Sequence, residues 1–364
     1  MQVKSLTLRR FRNYLDERVE LVEGLNIFCG DNAEGKTNLL ESLYVFGVGR
    51  SPRTTNDKDL VNFNEDNAYI SAEILKTHTK HKVEIYFSSA KKRIAIDGMP
   101  ISKLGELMGV VNVVYFSPDE MSIIKDEPML RRRFVDISLA QQSKIYYYSL
   151  LRYNKILLAR NKLLKDGTAL DDTLPVWEEQ LAKEGARIIR MRRQYVDMLS
   201  DEARSAHLIL TSDRETLTVE YESQCTETDE DKIRLELLGL YELNRDKDKR
   251  LQYTTVGPHR DDLKIICNDV DIRKYGSQGQ QRTSALSLKL AELEIFRRMT
   301  GEYPILLLDD VLSELDDSRK DALMRAVSKV QTILTCTKYD MTLPKGARVY
   351  RVNQGKVTTI EDID

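Results

Sequence analysis

The sequence lacks a hydrophobic run of membrane-spanning length and has few cysteines. It contains four cysteines in 364 residues, and none lies in a metal-binding spacing: Cys29, Cys225, Cys267 and Cys336. This argues against a disulfide-stabilised secreted domain and indicates reduced, structural thiols. The first residues, Met1-Gln2-Val3-Lys4, lead into no apolar signal core. We therefore expect a cytoplasmic protein without a membrane anchor.

The sequence also lacks an excess of charge of either sign. Its 56 basic and 58 acidic residues give a net charge of −2. This argues against a generally basic coat for nucleic acid, so any polyanion must bind to local basic surfaces. A hydrophobic content of 41% and a charged content of 31% are typical of a soluble globular protein. The length suggests about two domains.

Residues 30–37 carry the strongest local signal. They read Gly30-Asp31-Asn32-Ala33-Glu34-Gly35-Lys36-Thr37, the phosphate-binding P-loop pattern G-x-x-x-x-G-K-[ST]. We expect the two glycines to let backbone N–H groups point at phosphate oxygens, Lys36 to bind the β- and γ-phosphates, and Thr37 to ligate Mg²⁺. The apolar run Leu25–Cys29 predicts a buried strand before the loop, and residues 38–43 predict a helix after it. A chance glycine-rich turn is the alternative.

Alternating hydrophobicity predicts a β-rich N-terminal third. Strands are expected on both sides of the turn Arg12-Asn13-Tyr14, and at residues 68–74, 82–87, 93–96 and 110–116, with a hairpin at Asp97-Gly98. Arg9, Arg10 and Arg12 form a basic cluster that either contacts a nucleotide or DNA or is a solvated strand end.

Residues 118–210 are predicted to be helical. Leucines repeat every seven residues at 150, 157 and 164, and a second apolar stripe comprises Trp177, Leu181, Ile188, Met191, Tyr195 and Met198. Residues 166–172 break the pattern, so an antiparallel helical hairpin is expected, with its aromatic and Met residues packed in the seam. The candidates for DNA phosphate contact are Arg131, Arg132, Arg133, Arg187, Arg190, Arg192 and Arg193. A solvated helix face, balanced by Glu178, Glu179, Glu184 and Asp197, is the alternative.

The next segment returns to β-type patterns. A strand near residues 217–221 and a charged helix near 230–243 precede two predicted strands at 251–256 and 263–267. The intervening residues 257–262 include His259, beside Arg260 and two carboxylates, but no triad or metal spacing surrounds it.

Two further motifs lie near the C-terminus. Ser277-Gln278-Gly279-Gln280-Gln281-Arg282 opens an amphipathic helix, which makes a second anion-binding device. Residues 304–310 predict a buried strand that ends in Asp309 and Asp310, where α/β folds place Mg²⁺ ligands. A helix at 318–330, a strand at 331–336 and a hairpin about Asn353-Gln354-Gly355 are expected to follow.

The spacing of these motifs predicts a split nucleotide-binding unit. Thr37 and Asp309 lie 272 residues apart, which a compact P-loop domain would not need. The helical segment is therefore expected to be inserted between the two halves. One nucleotide would face two phosphate-binding loops, so either one protomer closes on itself or two protomers share each nucleotide.

The order of P-loop, serine-led loop, acidic strand end and Ser313-Glu314-Leu315-Asp316 is similar to that of ATP-binding-cassette proteins. More narrowly, the chain resembles the RecF family of bacterial recombination-mediator ATPases. The other motifs that carry this resemblance span nearly the whole chain: Phe11-Arg12-Asn13-Tyr14, Gly49-Arg50-Ser51, Ser117-Pro118-Asp119-Glu120, Arg131-Arg132-Arg133-Phe134-Val135-Asp136, residues 257–262, residues 276–282 and Leu307-Leu308-Asp309-Asp310. SMC-type chromosome proteins share the cassette but need a far longer coiled coil than this arm.

The resemblance implies an α/β fold, an ABC-type P-loop NTPase head with split N- and C-terminal halves and an inserted α-helical arm. Residues 1–120 would form the N-terminal half with the P-loop (Walker A). Residues 121–245 would form the arm, and residues 246–364 would form the C-terminal half with the signature loop, the acidic strand end (Walker B) and the D-loop.

The resemblance also implies the roles of individual residues with ATP and Mg²⁺. Lys36 would bind the β- and γ-phosphates, Thr37 and Asp309 would hold Mg²⁺, and Asp310 would polarise the attacking water. Ser277 and Gly279 would reach the γ-phosphate from a second protomer. The implied nucleotide-binding residues are Gly30, Asp31, Asn32, Ala33, Glu34, Gly35, Lys36, Thr37, Ser277, Gln278, Gly279 and Gln280.

The function implied is a weak DNA-dependent ATPase that acts as a switch in recombinational repair and replication-fork maintenance in the bacterial cytoplasm. ATP would hold a homodimer on duplex DNA near gaps or single/double-strand junctions. There the dimer would work with RecR and RecO to load RecA, linking it to the SOS response.

The sequence departs from transporter cassettes in two ways. Asp310 stands where transporters usually have Glu, which suits slow, switch-like turnover. No plain glutamine follows the strand ending at Phe116 and no histidine follows Thr335, so Asp119, Glu120 and Thr335 are candidates for those two roles. The rival interpretations are the ATPase subunit of a membrane transporter and a scaffold that binds nucleotide but barely hydrolyses it.

Overall fold

The computed structural model describes residues 1–88, 91–167, 173–339 and 343–362. The strands are β1 (Gln2–Phe11), β2 (Tyr14–Glu20), β3 (Leu25–Cys29), β4 (Asn67–Leu75), β5 (Lys80–Ser88), β6 (Arg93–Ile96), β7 (Met99–Pro100), β8 (Val113–Phe116), β9 (Leu217–Glu222), β10 (Asp262–Cys267), β11 (Val270–Asp271), β12 (Ile305–Asp309), β13 (Thr332–Cys336), β14 (Arg348–Asn353) and β15 (Lys356–Asp362). The helices are α1 (Lys36–Val48), α2 (Ser122–Lys125), α3 (Pro128–Gln142), α4 (Lys144–Asp166), α5 (Leu174–Thr211), α6 (Glu230–Leu251), α7 (Ile272–Tyr275), α8 (Gln278–Thr300) and α9 (Asp317–Ala326).

A six-stranded central sheet joins the two ends of the chain. Its order is β15-β14-β3-β13-β12-β8, and all neighbours are parallel except the β14–β15 hairpin. β3, from the N-terminal part of the chain, lies between β13 and β14 from the C-terminal part. The predicted split of the nucleotide-binding unit is therefore built into the sheet. The domain boundaries at residues 120 and 245 stay a prediction.

The central sheet is buried on both faces, as parallel sheets generally are. Along β12, Ile305 and Leu307 belong to one hydrophobic core, and Leu306 and Leu308 belong to the other. The first core is shared with α1 and with a second six-stranded, antiparallel sheet of order β2-β1-β4-β5-β6-β7. The other core is formed mainly with helices, including α3, α5 and α8. The uninterrupted apolar pattern of β12 follows from this double burial.

The predicted helical hairpin is confirmed by α4 and α5. Two ion pairs between the helices, Arg152–Glu184 and Arg160–Glu178, run in opposite sequence directions, as in an antiparallel pair. α5 also packs against α6, α8 and β9. The interruption of the apolar stripe at Glu184 is explained, because this buried carboxylate pairs with Arg152. Asp171 and Asp172, part of the predicted break, lie outside the described residues.

Residues of the apolar stripe predicted for α5 are buried, whereas two leucines of the repeat predicted for α4 are only partly buried. Leu181, Ile188 and Tyr195 of α5 are buried as expected. On α4, Leu150 and Leu157 are only partly buried, and the fully buried Tyr146 and Tyr153 fill much of the seam.

Two predicted strands differ from the structure. The strand expected at residues 251–256 is wrong, because α6 continues to Leu251 and the next residues bond to side chains instead of to a sheet. The Thr254 N–H donates to Asn161 Oδ1 (2.8 Å), and the Thr255 N–H donates to Asp248 Oδ1 (3.0 Å). The strand expected from residue 110 begins at Val113. Among the described helices, none is long and apolar enough to cross a membrane.

Candidate nucleotide-binding site

The P-loop lies between β3 and α1, as the sequence predicts. Gly35 caps α1 with a φ of 117°, a conformation that side chains rarely adopt. We expected Gly30 to let the backbone turn towards phosphate, but the structure gives a different reason for a glycine at this position. A Cβ at this position would lie 2.3 Å from the carbonyl oxygen of Val352, so the close approach of β14 excludes a side chain. Residues 31–33 are exposed, which leaves the mouth of the loop open to a ligand.

The neighbouring β1–β2 turn holds the P-loop in place. The Asn13 amide donates to the carbonyl oxygen of Glu34 (2.8 Å), and the Tyr14 hydroxyl donates to that of Gly35 (3.0 Å). The Lys36 ammonium donates to the carbonyl oxygens of Gly30 (2.6 Å) and Asp31 (2.8 Å), which uses two of its three hydrogens. The Phe11-Arg12-Asn13-Tyr14 motif therefore has a structural explanation as a support of this loop.

Asp309 is the point at which the two distant motifs meet. Its Oδ1 accepts hydrogen bonds from the hydroxyls of Thr37 (3.0 Å) and Thr335 (2.7 Å), and its Oδ2 accepts one from Tyr115 (3.1 Å). Burial, and then the charge of Asp309, raise the pKa of Tyr115, so this phenol stays protonated and remains a donor. The carboxylate and the Thr37 hydroxyl form a cluster of hard oxygen atoms, the ligand type that Mg²⁺ prefers.

Asp310 is positioned by the neighbouring strand. It has a left-handed backbone conformation with a φ of 52°. Its N–H donates to both the carbonyl oxygen (3.2 Å) and the hydroxyl oxygen (3.1 Å) of Thr335. The Thr335 hydroxyl therefore touches both acidic residues at the strand end, which the sequence alone did not reveal.

A buried ion cluster behind α1 was missed at the level of sequence. The Glu41 carboxylate is 1% exposed and is bound by Arg12 (2.9 and 2.8 Å), Ser51 (2.5 Å) and Arg53. Burial opposes its ionisation, but the bonds from Arg12, Arg53 and Ser51 outweigh it and lower the pKa of Glu41. The signal was a lone glutamate within the apolar run of α1. This ion pair shows that Arg12 is not a solvated strand end, whereas its contact with a nucleotide or DNA stays a prediction.

The serine-led loop opens α8 and is exposed. Ser277 is the N-cap residue, and its side chain and that of Gln280 form a capping box. Gln280 also donates to Glu215 (2.9 Å). Within the described part of the chain, no hydrogen bond joins Ser277 or Gln280 to the P-loop. A Cβ added to Gly279 would meet only open space, so nothing within the protomer requires a glycine there.

Two arginines proposed for DNA contact are buried in ion pairs, and for these the prediction is wrong. Arg131 is 1% exposed and binds Asp262 through two bonds, and Arg192 is 3% exposed and binds Asp136. These side chains cannot reach a phosphate because other elements cover them. Of the remaining candidates, Arg187 and Arg190 pair with Glu230, Arg193 donates to the Cys225 and Glu227 carbonyl oxygens, and Arg132 donates to that of Asp261.

Arg133 remains exposed and lies at a basic cleft between the N-terminal lobe and the arm. The cleft encloses about 1050 Å³. Its basic lining residues are Arg50, Arg53, Lys92, Lys103, Arg132 and Arg133. Asp57 and Asp136 supply its only carboxylates among the described lining residues. The local excess of positive charge contrasts with the net charge of the chain.

His259 has a structural role in agreement with the absence of a triad or metal spacing around it. Its Nε2 donates to the Thr254 carbonyl oxygen (3.0 Å), so Nδ1 accepts from the Tyr153 hydroxyl (2.7 Å). Burial is the main reason that the pKa of His259 is lowered to about 4.

Of the candidates for the two unassigned cassette roles, Glu120 pairs with Lys289 (2.9 Å), Asp119 lines a cavity with Glu120, and Thr335 binds Asp309.

The fold and this site can be compared with known proteins. A family model described as the RecF/RecN/SMC N terminal domain matches residues 2–360. The DNA replication and repair protein RecF of Clostridium tetani is 44% identical over 366 residues, which cover 98% of this chain and 99% of that protein. RecF of Clostridium kluyveri is 45% identical, with coverage of 99% and 100%.

Solved structures give the same result. The recombination mediator protein RecF with ATP, in the RecFOR pathway, superposes with a TM-score of 0.91 at 35% identity, covering 99% of this chain and 97% of that chain. An Smc head bound to the C-winged helix domain of ScpA has a TM-score of 0.56 at 15% identity, with coverage of 99% and 98%, and supports the ABC-type fold alone. Because the family model and the relatives extend over nearly the whole chain, the chain belongs to the RecF family within the RecF/RecN/SMC proteins.

Proposed function

We propose that the chain is an ATP-controlled DNA-binding switch of recombinational repair. The observation that carries this proposal is the hydrogen bond between Thr37 and Asp309, which unites the P-loop and the acidic strand end in one site. The relatives of this chain are DNA replication and repair proteins, and the structure of one related protein contains ATP.

ATP would lie at the mouth of the P-loop with its β- and γ-phosphates near Lys36. Thr37 and Asp309 would hold Mg²⁺, which supplies charge neutralisation at the phosphates. Asp310 would orient the attacking water. Its N–H bonds to Thr335 fix the backbone from which its carboxylate projects. Hydrolysis would be slow, as suits a switch.

The serine-led loop would complete the site of a second protomer. Ser277 is exposed, its bonds stay within its own helix end, and Gly279 has no explanation inside the protomer. A close approach by phosphate and by another copy of the chain accounts for both features. ATP would then stabilise only the closed dimer, and hydrolysis would release it.

DNA would contact the basic cleft that includes Arg50, Arg132 and Arg133. Its charge suits a phosphate backbone, which is recognised without regard to sequence. The structures named for the RecFOR pathway support RecO and RecR as partners, with RecA loading at gaps or single/double-strand junctions as the outcome.

The test measures the affinity for a fluorescent gapped duplex in ATP and in ADP over a range of salt concentrations. The unmodified chain should bind more tightly in ATP, and its affinity should fall steeply with salt. Lys36→Met should lose the difference between ATP and ADP, because the γ-phosphate loses its charged partner. Lys4→Met, at a lysine outside the nucleotide-binding loops, is the control and should keep the difference. An ATP effect that persists in Lys36→Met would refute the proposed site.

A further inference from the structure

A second cluster of potential ligands lies behind the serine-led loop. His207 near the end of α5, Glu215 before β9 and Cys267 at the end of β10 each direct one ligand atom to a common point. These atoms all lie within 4.8 Å of one another, the only such group found among the described residues. The group could not be recognised from the sequence, because Cys267 lies far along the chain from His207 and Glu215 and the three residues match no metal-binding spacing.

The hydrogen bonds around His207 fix which of its ring nitrogens is free. The Ser287 hydroxyl donates its hydrogen to the Thr283 carbonyl oxygen (2.7 Å). Its contact with His207 Nδ1 (2.9 Å) therefore requires the imidazole to donate from Nδ1. In the neutral ring, Nε2 then carries a lone pair that faces the other two residues. A hydrogen bond on the opposite nitrogen is the usual support of a metal-binding histidine.

The carboxylate of Glu215 is oriented in a similar way. Its Oε1 accepts a hydrogen bond from Gln280 (2.9 Å), and its Oε2 lies 3.4 Å from His207 Nε2. His207 and Glu215 therefore each use one side-chain atom for a hydrogen bond with α8, and their other atoms, Nε2 and Oε2, face each other. The side chains of His207 and Glu215 are 0% and 23% exposed, so the opening to solvent lies on the Glu215 side.

The two separations measured from His207 fit a tetrahedral ion. With zinc bonds of about 2.0–2.2 Å to nitrogen and oxygen and about 2.3 Å to sulfur, a tetrahedral angle separates nitrogen from oxygen by about 3.4 Å and nitrogen from sulfur by about 3.6 Å. The observed separations from His207 Nε2 are 3.4 Å to Glu215 and 3.8 Å to Cys267 Sγ. No large movement is needed to enclose a cation.

We propose that His207, Glu215 and Cys267 form a binding site for a divalent cation of the zinc class. The mixed nitrogen, sulfur and oxygen ligands favour zinc over magnesium or calcium. Cys267 would release its thiol proton to solvent on binding, and the thiolate and carboxylate together would neutralise the ion. Water would take the fourth position, from the side of Glu215.

The cation would connect four parts of the fold. It would join α5 to β10 and to the segment before β9, and through Glu215 it would be joined to Gln280 on the first turn of α8. The site is therefore expected to stiffen the base of the serine-led loop. It is independent of the function proposed for that loop.

The test adds Co²⁺ to the full chain after removal of metals and nucleotide. One equivalent should produce tetrahedral absorption bands and a thiolate-to-cobalt charge-transfer band, and added Zn²⁺ should displace both. Cys267→Ser should remove the charge-transfer band. The buried cysteines Cys29 and Cys225 provide matched controls, and Cys29→Ser and Cys225→Ser should keep it.

A second variant is needed because Cys267→Ser changes a buried residue and could disturb the fold. Glu215 is partly exposed, and Glu215→Gln keeps its shape while removing its charge, so the fold should be retained. Its Co²⁺ affinity should fall about tenfold or more. The proposal is overturned if the unmodified chain shows no charge-transfer band. That result is expected if a proton shared by His207 and Glu215, and not a cation, joins these two side chains. It is equally overturned if the band survives in Cys267→Ser, or if Glu215→Gln binds Co²⁺ as tightly as the unmodified chain.

Discussion

The Thr335 hydroxyl offers a selective way to disturb the acidic strand end, because it touches both Asp309 and Asp310. In Thr335→Val, a methyl group of similar size replaces the hydroxyl. The substitution removes the 2.7 Å bond to Asp309 and the 3.1 Å bond from the Asp310 N–H. The fold of the strand and the P-loop residues should stay unchanged.

The expected magnitude follows from what remains bonded. Asp309 keeps its bonds from Thr37 and Tyr115, and the Asp310 N–H keeps the Thr335 carbonyl oxygen. The loss therefore amounts to about one hydrogen bond to a charged group, at about 1.5 kcal/mol of unfolding free energy. If the same energy is lost in the transition state of hydrolysis, the rate falls about tenfold.

The assay combines urea unfolding with single-turnover hydrolysis of ATP at saturating nucleotide and DNA. Thr332→Val is the matched control, since Thr332 is also buried on β13 but its hydroxyl donates to the Val330 carbonyl oxygen (3.1 Å). The control should lose about 1 kcal/mol of stability and hydrolyse ATP normally. Equal hydrolysis rates in the two variants would refute the reasoning, because Thr335 would then be a packing residue only.

Two further predictions concern stability. Glu41→Ala should lower the unfolding free energy by about 3 kcal/mol, because it leaves Arg12 and Arg53 without their partner, whereas Glu20→Ala in the exposed pair with Arg18 should lower it far less. Equal losses in urea unfolding would contradict this. The pKa of His259 is lowered from 6.5 to about 4, so between these pH values the unfolded chain binds more protons than the folded chain, and the unfolding free energy falls as the pH falls. At pH 5 this histidine should cost about 2 kcal/mol relative to pH 8, and His259→Gln, measured by urea unfolding at both pH values, should lack that part of the loss. An identical pH dependence in both proteins would contradict it.

Local patterns were sufficient to predict the strand–loop–helix at residues 30–37 and the buried strand that ends at Asp309. Each depends on a short run of residues whose burial or conformation is dictated by its neighbours in sequence. The inserted helical hairpin, predicted from the apolar repeat, and the α/β class, implied by the resemblance to the RecF family, are also confirmed. The roles of Lys36, Asp310 and Ser277 stay predictions, because they depend on ligands and on a second protomer.

Long-range charge pairing could not be predicted from the sequence. Arg131 and Arg192 were indistinguishable from solvent-facing arginines, because their partners Asp262 and Asp136 are distant in the chain. The strand expected after Leu251 failed for a related reason. Its β-type composition was overridden by backbone hydrogen bonds that Thr254 and Thr255 donate to the side chains of Asn161 and Asp248.

The central claim is that ATP joins two protomers through Ser277 of one and the P-loop of the other. Sedimentation velocity in ATP, in ADP and with a gapped duplex tests it most directly, with Ser277→Arg as the decisive variant. The unmodified chain should sediment as a dimer in ATP and as a monomer in ADP. Ser277→Arg should bind ATP but stay monomeric. A chain that remains monomeric at saturating ATP and DNA, or a Ser277→Arg variant that dimerises normally, would contradict the account.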